Sequence, residues 1–288
     1  MRIYEKGNNL ILENVKDFDL TQTFDCGQCF RWKKSGDAYW GVAFGMPLKI
    51  SQKGDEITLF DTTMEDWDTV WSKYFDMERD YGKIKSQIAT DSVMKEAVEF
   101  GNGIRILNQE PFECLISFII SASNNIPRIK KIIDSLCTNF GDKMTYMGKD
   151  FYTFPTAEKL STLSLDDIGV IKAGFRDKYI LSAAKAVANA QIDLECLKSA
   201  SFDYAKTELL KLSGVGNKVA ECVLLFSLEK YGSFPVDVWI KRIMEHCYFD
   251  KEQDKETISA FAEEKFGEHC GFAQQYLFYW ARENKIGI

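Results

Sequence analysis

The 288-residue chain carries 45% hydrophobic and 27% charged residues and a net charge of −7, with a pI near 5.1. This composition supports one large or two medium packed domains and excludes disorder, while the acidic balance excludes a protein that coats nucleic acid indiscriminately but allows a local basic footprint. Eight cysteines over this length do not make the dense disulfide framework of a small secreted domain, and Met1 to Lys6 lack the apolar core of a secretory signal, so reduced thiols in the cytoplasm or nucleus are expected.

Residues 1 to about 60 read as strands. Leu10–Leu12, Ala38–Gly45, Lys49–Ser51 and Glu56–Phe60 are short β-rich runs separated by Gly, Pro and charged turns, which suggests an antiparallel meander. Thr21–Trp32 interrupts it and contains Cys26-Gly27-Gln28-Cys29. A C-x-x-C points to redox chemistry or half a zinc site, but no second C-x-x-C or H-x-x-x-H completes four ligands, so no metal is expected.

From Met64 the apolar spacing becomes helical, with Trp67, Val70, Trp71 and Tyr74 on one face, and it stays helical almost to the end. No low-complexity linker marks a boundary; we expect a β domain with trailing helices over residues 1–100 and a helical domain over 101–288. Asp91-Ser92 caps a helix from Val93 to Phe100, which Gly101 and Gly103 close. Pro111 to Ala122 is apolar nearly all round and so a buried helix, too short to span a membrane. It stops at Ser123-Asn124-Asn125, and Ile126-Pro127-Arg128 leads into a basic helix from Ile129 to Phe140. Pro155–Leu160 and Ser164–Ile168 read as short capped helices, and Ala173-Gly174-Phe175-Arg176 turns into a helix from Asp177 to Ala190. Arg128, Lys130 and Lys131, then Lys172, Arg176 and Lys178, then Lys218, then Lys241 and Arg242 are basic groups at these turns, each alone an ordinary solvated face.

Leu212-Ser213-Gly214-Val215-Gly216-Asn217-Lys218 reads as a tight hairpin opening a helix from Val219 to Leu228. Gly214 and Gly216 leave the backbone uncovered, so successive N–H groups and the helix start can face a DNA phosphate. Lys218 sits in the first turn, where the positive end of the helix disfavours an ammonium and favours a nucleophilic amine. Alone, a short G-x-G before a helix is a common loop-to-helix turn. Pro235-Val236 is extended, and Asp237 opens the next helix, a position where an aspartate is by default an N-cap. Cys222 shares the helix face of Lys218, and the last helix, Phe272 to Arg282, carries Gln274 and Phe278 among core aromatics.

Taken together and in order, Phe24-Asp25-Cys26-Gly27-Gln28-Cys29-Phe30-Arg31-Trp32, Tyr74-Phe75-Asp76, Glu113 to Arg128, Ala173 to Tyr179, Leu212 to Cys222, Pro235-Val236-Asp237-Val238 and Gly271-Phe272-Ala273-Gln274 make the chain resemble the helix-hairpin-helix DNA glycosylases. Within them it is most similar to the 8-oxoguanine DNA glycosylase/AP lyases. The resemblance implies an α+β fold: a small, TATA-binding-protein-like twisted antiparallel sheet, then a two-part helical domain with DNA and an extruded base in the cleft. It implies Lys218 as nucleophile and Asp237 as catalytic aspartate. Cys222 and Phe278 would sandwich the base, Gln274 would bond its pairing edge, and the Gly27 carbonyl would detect the N7–H of 8-oxoguanine. Asn124, Asn125, Arg128, Phe175 and Arg176 would fill the gap in the duplex and meet the orphaned partner base, and Gly214 and Gly216 would hold phosphate. The implied partner is double-stranded DNA containing 8-oxoguanine, bound by a monomer without cofactor, metal or membrane. The compartment would be the nucleoid of a prokaryote or otherwise a nucleus.

Three departures stand out. Ser123 replaces an asparagine that contacts the orphaned cytosine, Trp239 replaces a histidine, and only His269 and Cys270 stand where iron–sulfur relatives carry four cysteines, so no cluster is expected. Two other readings compete. A monofunctional alkylpurine glycosylase shares the layout and the aspartate but has no lysine in the hairpin, and a noncatalytic DNA-binding module would use the hairpin for phosphates without needing the Asp237 carboxylate.

Overall fold

The computed structural model describes residues 1–249 and 251–287. Its first part is a six-stranded antiparallel sheet of β1 (Arg2–Lys6), β2 (Asn9–Glu13), β3 (Lys33–Ser35), β4 (Ala38–Ala43), β5 (Met46–Lys53) and β6 (Glu56–Phe60), in the order β1-β2-β6-β5-β4-β3. The sheet is therefore not a simple meander: β2 pairs with β6, with Leu10 opposite Leu59, and the excursion through β3 to β5 is inserted between them. Alternation does the rest. Leu10, Leu12, Leu48, Ile50, Ile57 and Leu59 point to one face and are fully buried. An aromatic layer of Phe18, Phe24, Trp32, Trp71, Tyr74 and Phe75 covers that face.

The segment expected to interrupt the sheet opens with a helix, Leu20–Asp25, capped by Asp19. Trp67, Trp71 and Tyr74 face the aromatic core as their spacing predicts, but Trp67–Trp71 winds as a π turn between two short α pieces. The later chain is not uniformly helical either. Lys143–Tyr146 and Lys149–Tyr152 form a hairpin, β7 and β8, turned by Met147 and Gly148, both at positive φ.

The helical core is organised around Pro111–Ser121, with Pro111 at its first position and nine of its eleven residues buried. Asn124 Nδ2 donates to the Ile120 carbonyl (3.0 Å) and closes its end. The following helix begins earlier than its apolar pattern suggests, at Ile126, because Asn125 caps it by accepting from Arg128 N–H (3.1 Å). A buried ion pair, Arg31 to Glu113 (2.9 Å), ties the Phe24–Trp32 segment to the buried helix, and Arg31 also donates to the Tyr152 carbonyl of β8. Cys26 and Cys29 enter different cores, Cys26 the helical one and Cys29 the sheet one.

Candidate active site

The hairpin joins the helices Phe202–Leu210 and Asn217–Ser227. Gly214 is obligatory: its φ is +85°, and a Cβ there would overlap the Tyr179 ring. Gly216 is the N-cap, with open space around it and no side-chain cap, so the first N–H groups of the helix are left for a ligand.

Lys218, half-buried in the first turn, donates from Nζ to Ser121 Oγ (3.1 Å), and its Nζ lies 4.9 Å from the Phe118 ring centroid. Among the described residues it has no carboxylate ion-pair partner. Ser121 and Phe118 were not singled out from sequence; only the serine's place at the end of an apolar helix hinted at it. Asp237 caps the helix Val238–Tyr248 with one oxygen, Oδ1, which accepts from Trp239 N–H (2.9 Å) and Ile240 N–H (2.8 Å). Its Oδ2 has no donor among the described residues. The thiol of Cys222 registers both groups: burial pushes it up to about 12, the Lys218 ammonium pulls it down and the Asp237 carboxylate raises it. Amine and thiol, one helical turn apart, therefore share an electrostatic neighbourhood with the carboxylate that caps the following helix.

A second group faces the sheet domain. Gln274 and Phe278 lie four residues apart on the helix Cys270–Asn284, so they share a face. The Phe278 ring edge comes within 3.2 Å of where a Cβ on Gly27 would stand, and Gly27 has φ +88°. Arg282, one turn on, braces that loop by donating to the Asp25 carbonyl (2.6 Å). Gln274 is buried and accepts from Gln275 Nε2 (3.0 Å). The helix bearing these residues packs Gly271 against Leu225 of the lysine helix.

The remaining predicted residues lie on the loop after Ser121, on the turn before Asp177 and beside the Asp237 cap. Arg176 is turned inward and buried; its guanidinium donates to the Ala122 (2.9 Å from Nε), Ser123 (3.0 Å) and Ala173 (3.1 Å) carbonyls. It thereby fixes the loop directly after Ser121. Phe175, beside it, is 58% exposed, with the Arg176 guanidinium 4.2 Å from its ring centroid and the Tyr179 ring edge-on at 6.3 Å. Tyr179 is the ring that Gly214 makes room for. Arg128 and Asn125 are exposed on the same rim, while Asn124 is spent on the helix end. Trp239, half-exposed next to Asp237, has the Arg242 guanidinium 5.6 Å from its ring. Two of the larger cavities, of about 540 and 600 Å³, lie elsewhere and include none of these residues.

Comparison with known proteins agrees with this architecture. Residues 10–115 match the 8-oxoguanine DNA glycosylase N-terminal domain, and residues 116–268 match the HhH-GPD superfamily of base excision DNA repair proteins. The chain belongs to that superfamily. More particularly, it is similar over 99% of both chains, at 44% identity and a TM-score of 0.97, to an 8-oxoguanine glycosylase/lyase of Clostridium acetobutylicum solved with double-stranded DNA containing cytosine opposite 8-oxoguanine. MBOgg1, solved with a low-affinity DNA ligand, is 45% identical at the same TM-score of 0.97 and the same 99% coverage of both chains. The N-glycosylase/DNA lyase OGG1 of Arabidopsis thaliana is 31% identical over 91% of this chain and 77% of its own length.

Proposed function

We propose that the chain is a bifunctional DNA glycosylase/AP lyase that excises 8-oxoguanine from duplex DNA in base excision repair. The observation that carries this reading is the pairing of a nucleophile with a charge stabiliser: an amine without a carboxylate partner and a carboxylate with one uncommitted oxygen, both felt by one thiol. Extruding the base costs a few kcal/mol of unstacking, which the exposed Phe175 offsets by entering the vacated stack. The base then lies between Cys222 and Phe278, its pairing edge at Gln274 and its N7–H at the Gly27 carbonyl. Guanine has a lone pair at N7 and is repelled there.

Once the Lys218 ammonium has given up a proton to water, its nitrogen attacks C1′ with its lone pair. The bond from C1′ to the base breaks with its electrons leaving on the base, which takes up a proton from solvent. Positive charge builds on the sugar as this bond lengthens, and the Asp237 carboxylate stabilises it. Ring opening leaves a Schiff base between Lys218 and C1′; loss of a C2′ proton then expels the 3′ phosphate by β-elimination. Gly214, Gly216 and the free N–H groups of the hairpin hold the backbone phosphate, and Asn124, Asn125, Arg128 and Arg176 shape the rim that meets the partner base. We divide these tasks between a β domain over residues 1–100 and a glycosylase domain over 101–288, acting as a monomer wherever the genome lies, the nucleoid or a nucleus.

Borohydride tests the central step. The protein is expected to be trapped covalently on duplex containing 8-oxoguanine, and Lys218→Gln to reduce trapping by more than about 10³-fold. An undiminished adduct in that variant would overturn the proposal.

A further inference from the structure

The Gly27 carbonyl and the Gln28 N–H belong to one planar peptide unit, so whatever fixes Gln28 aims the Gly27 oxygen. Gln28 is fully buried. Its Nε2 donates to the carbonyls of Thr23 (2.9 Å) and Arg105 (2.7 Å), and its Oε1 accepts from Leu107 N–H (2.8 Å). Its own carbonyl accepts from Gln109 Nε2 (2.8 Å). Gln109 is buried as well, and its N–H donates to the Phe226 carbonyl (2.8 Å) in the last turn of the helix that bears Lys218 and Cys222. A continuous hydrogen-bonded path thus runs from the lysine helix to the peptide that faces Phe278.

An amide in this core is costly unless every group is paired, and an apolar side chain of similar length would fill the same space. What the glutamine adds is direction: its side chain is held at both ends of its amide and its own carbonyl is held as well, so its Cα and the peptide that follows are fixed, and the Gly27–Gln28 peptide starts from a fixed anchor.

We propose that Gln28, secured by Gln109, is a positioning residue that aims the Gly27 carbonyl and so sets discrimination between 8-oxoguanine and guanine without touching the base. This rests on the reading of Gly27 given above. The two purines differ at N7 by a donor against a lone pair, and a hydrogen bond weakens steeply as its angle falls. A misaimed carbonyl loses both the attraction to one and the repulsion of the other. An abasic site carries no base to read, so cleavage there does not need the aim.

The test compares two reactions of the full-length protein carrying Gln28→Met or, separately, Gln109→Met. Single-turnover release of 8-oxoguanine is expected to fall about 30- to 100-fold in each variant, while borohydride trapping on a preformed abasic site stays within about threefold of the parent. Retention of 8-oxoguanine release in either variant, or parallel loss of both reactions, would overturn the inference and leave a packing role. A parent protein that traps on abasic sites but does not release 8-oxoguanine would overturn the reading of Gly27 itself, a different failure.

Discussion

The aromatic core beneath the sheet and the site residues around Lys218 and Asp237 use the same kinds of side chain to opposite ends. Under the sheet every ring is answered: Phe24 stacks on Trp32 at 4.2 Å, Trp71 on Phe75 at 5.9 Å, and Trp32 Nε1 donates to Tyr74 Oη at 2.7 Å. At the site, Lys218 has no carboxylate partner among the described residues, Phe175 is turned to solvent and Asp237 keeps one oxygen uncommitted. The first region spends its contacts on folding, and the second withholds some of them for a substrate.

If that contrast holds, the two regions fail differently when altered. Trp71→Ala, which empties the centre of the aromatic layer, is expected to cost about 3–5 kcal/mol in urea unfolding, while the remaining folded protein cleaves abasic sites at the parental rate. Loss of cleavage in molecules shown to be folded would blur the distinction. Asp237→Asn should do the reverse. Asparagine caps a helix about as well as aspartate, so unfolding shifts by less than about 1 kcal/mol, whereas single-turnover base release falls about 10²-fold without the carboxylate. A large stability loss would mean that the cap, and not the charge, is what the position supplies.

A pH-dependent effect is expected at Glu110, which precedes the buried helix. Burial and the neighbouring Glu113 push its carboxyl up from 4.5 to about 7. A pKa raised by folding favours the native state below the unfolded value and loses that advantage as pH rises through the folded one. Glu110→Gln should therefore melt progressively higher than the parent between pH 4.5 and about 7 and keep a constant margin above that. A margin unchanged by pH would remove Glu110 from the set of perturbed groups.

Features governed by local rules were legible in the sequence: the caps at Asp91 and Asp237, the helix-starting Pro111 and the glycine-bearing hairpin, each readable within a few residues. Pairings decided by distant partners were not. Nothing local in Leu10–Leu12 announces that it pairs with Ile57–Leu59 across three intervening strands. The hairpin turned at Met147-Gly148 was missed, because the short amphipathic runs on either side fit helix and strand alike. Arg176 reads as one more surface cation, yet three distant or local carbonyls draw it inside. Gln28 carries no signal at all until the residues from Arg105 to Gln109 come up against it.

The two thiols flanking Gly27 have a consequence for how such a protein can be taken apart. Because Cys26 is sunk into one body and Cys29 into the other, the loop between them behaves as a rivet, with its head in each plate. Grafting the sheet onto another helical partner would pull one end of the rivet free and, on the proposed reading of Gly27, disturb the loop that meets the base. The two halves can then change only in step, which makes this seam a poor place for recombination.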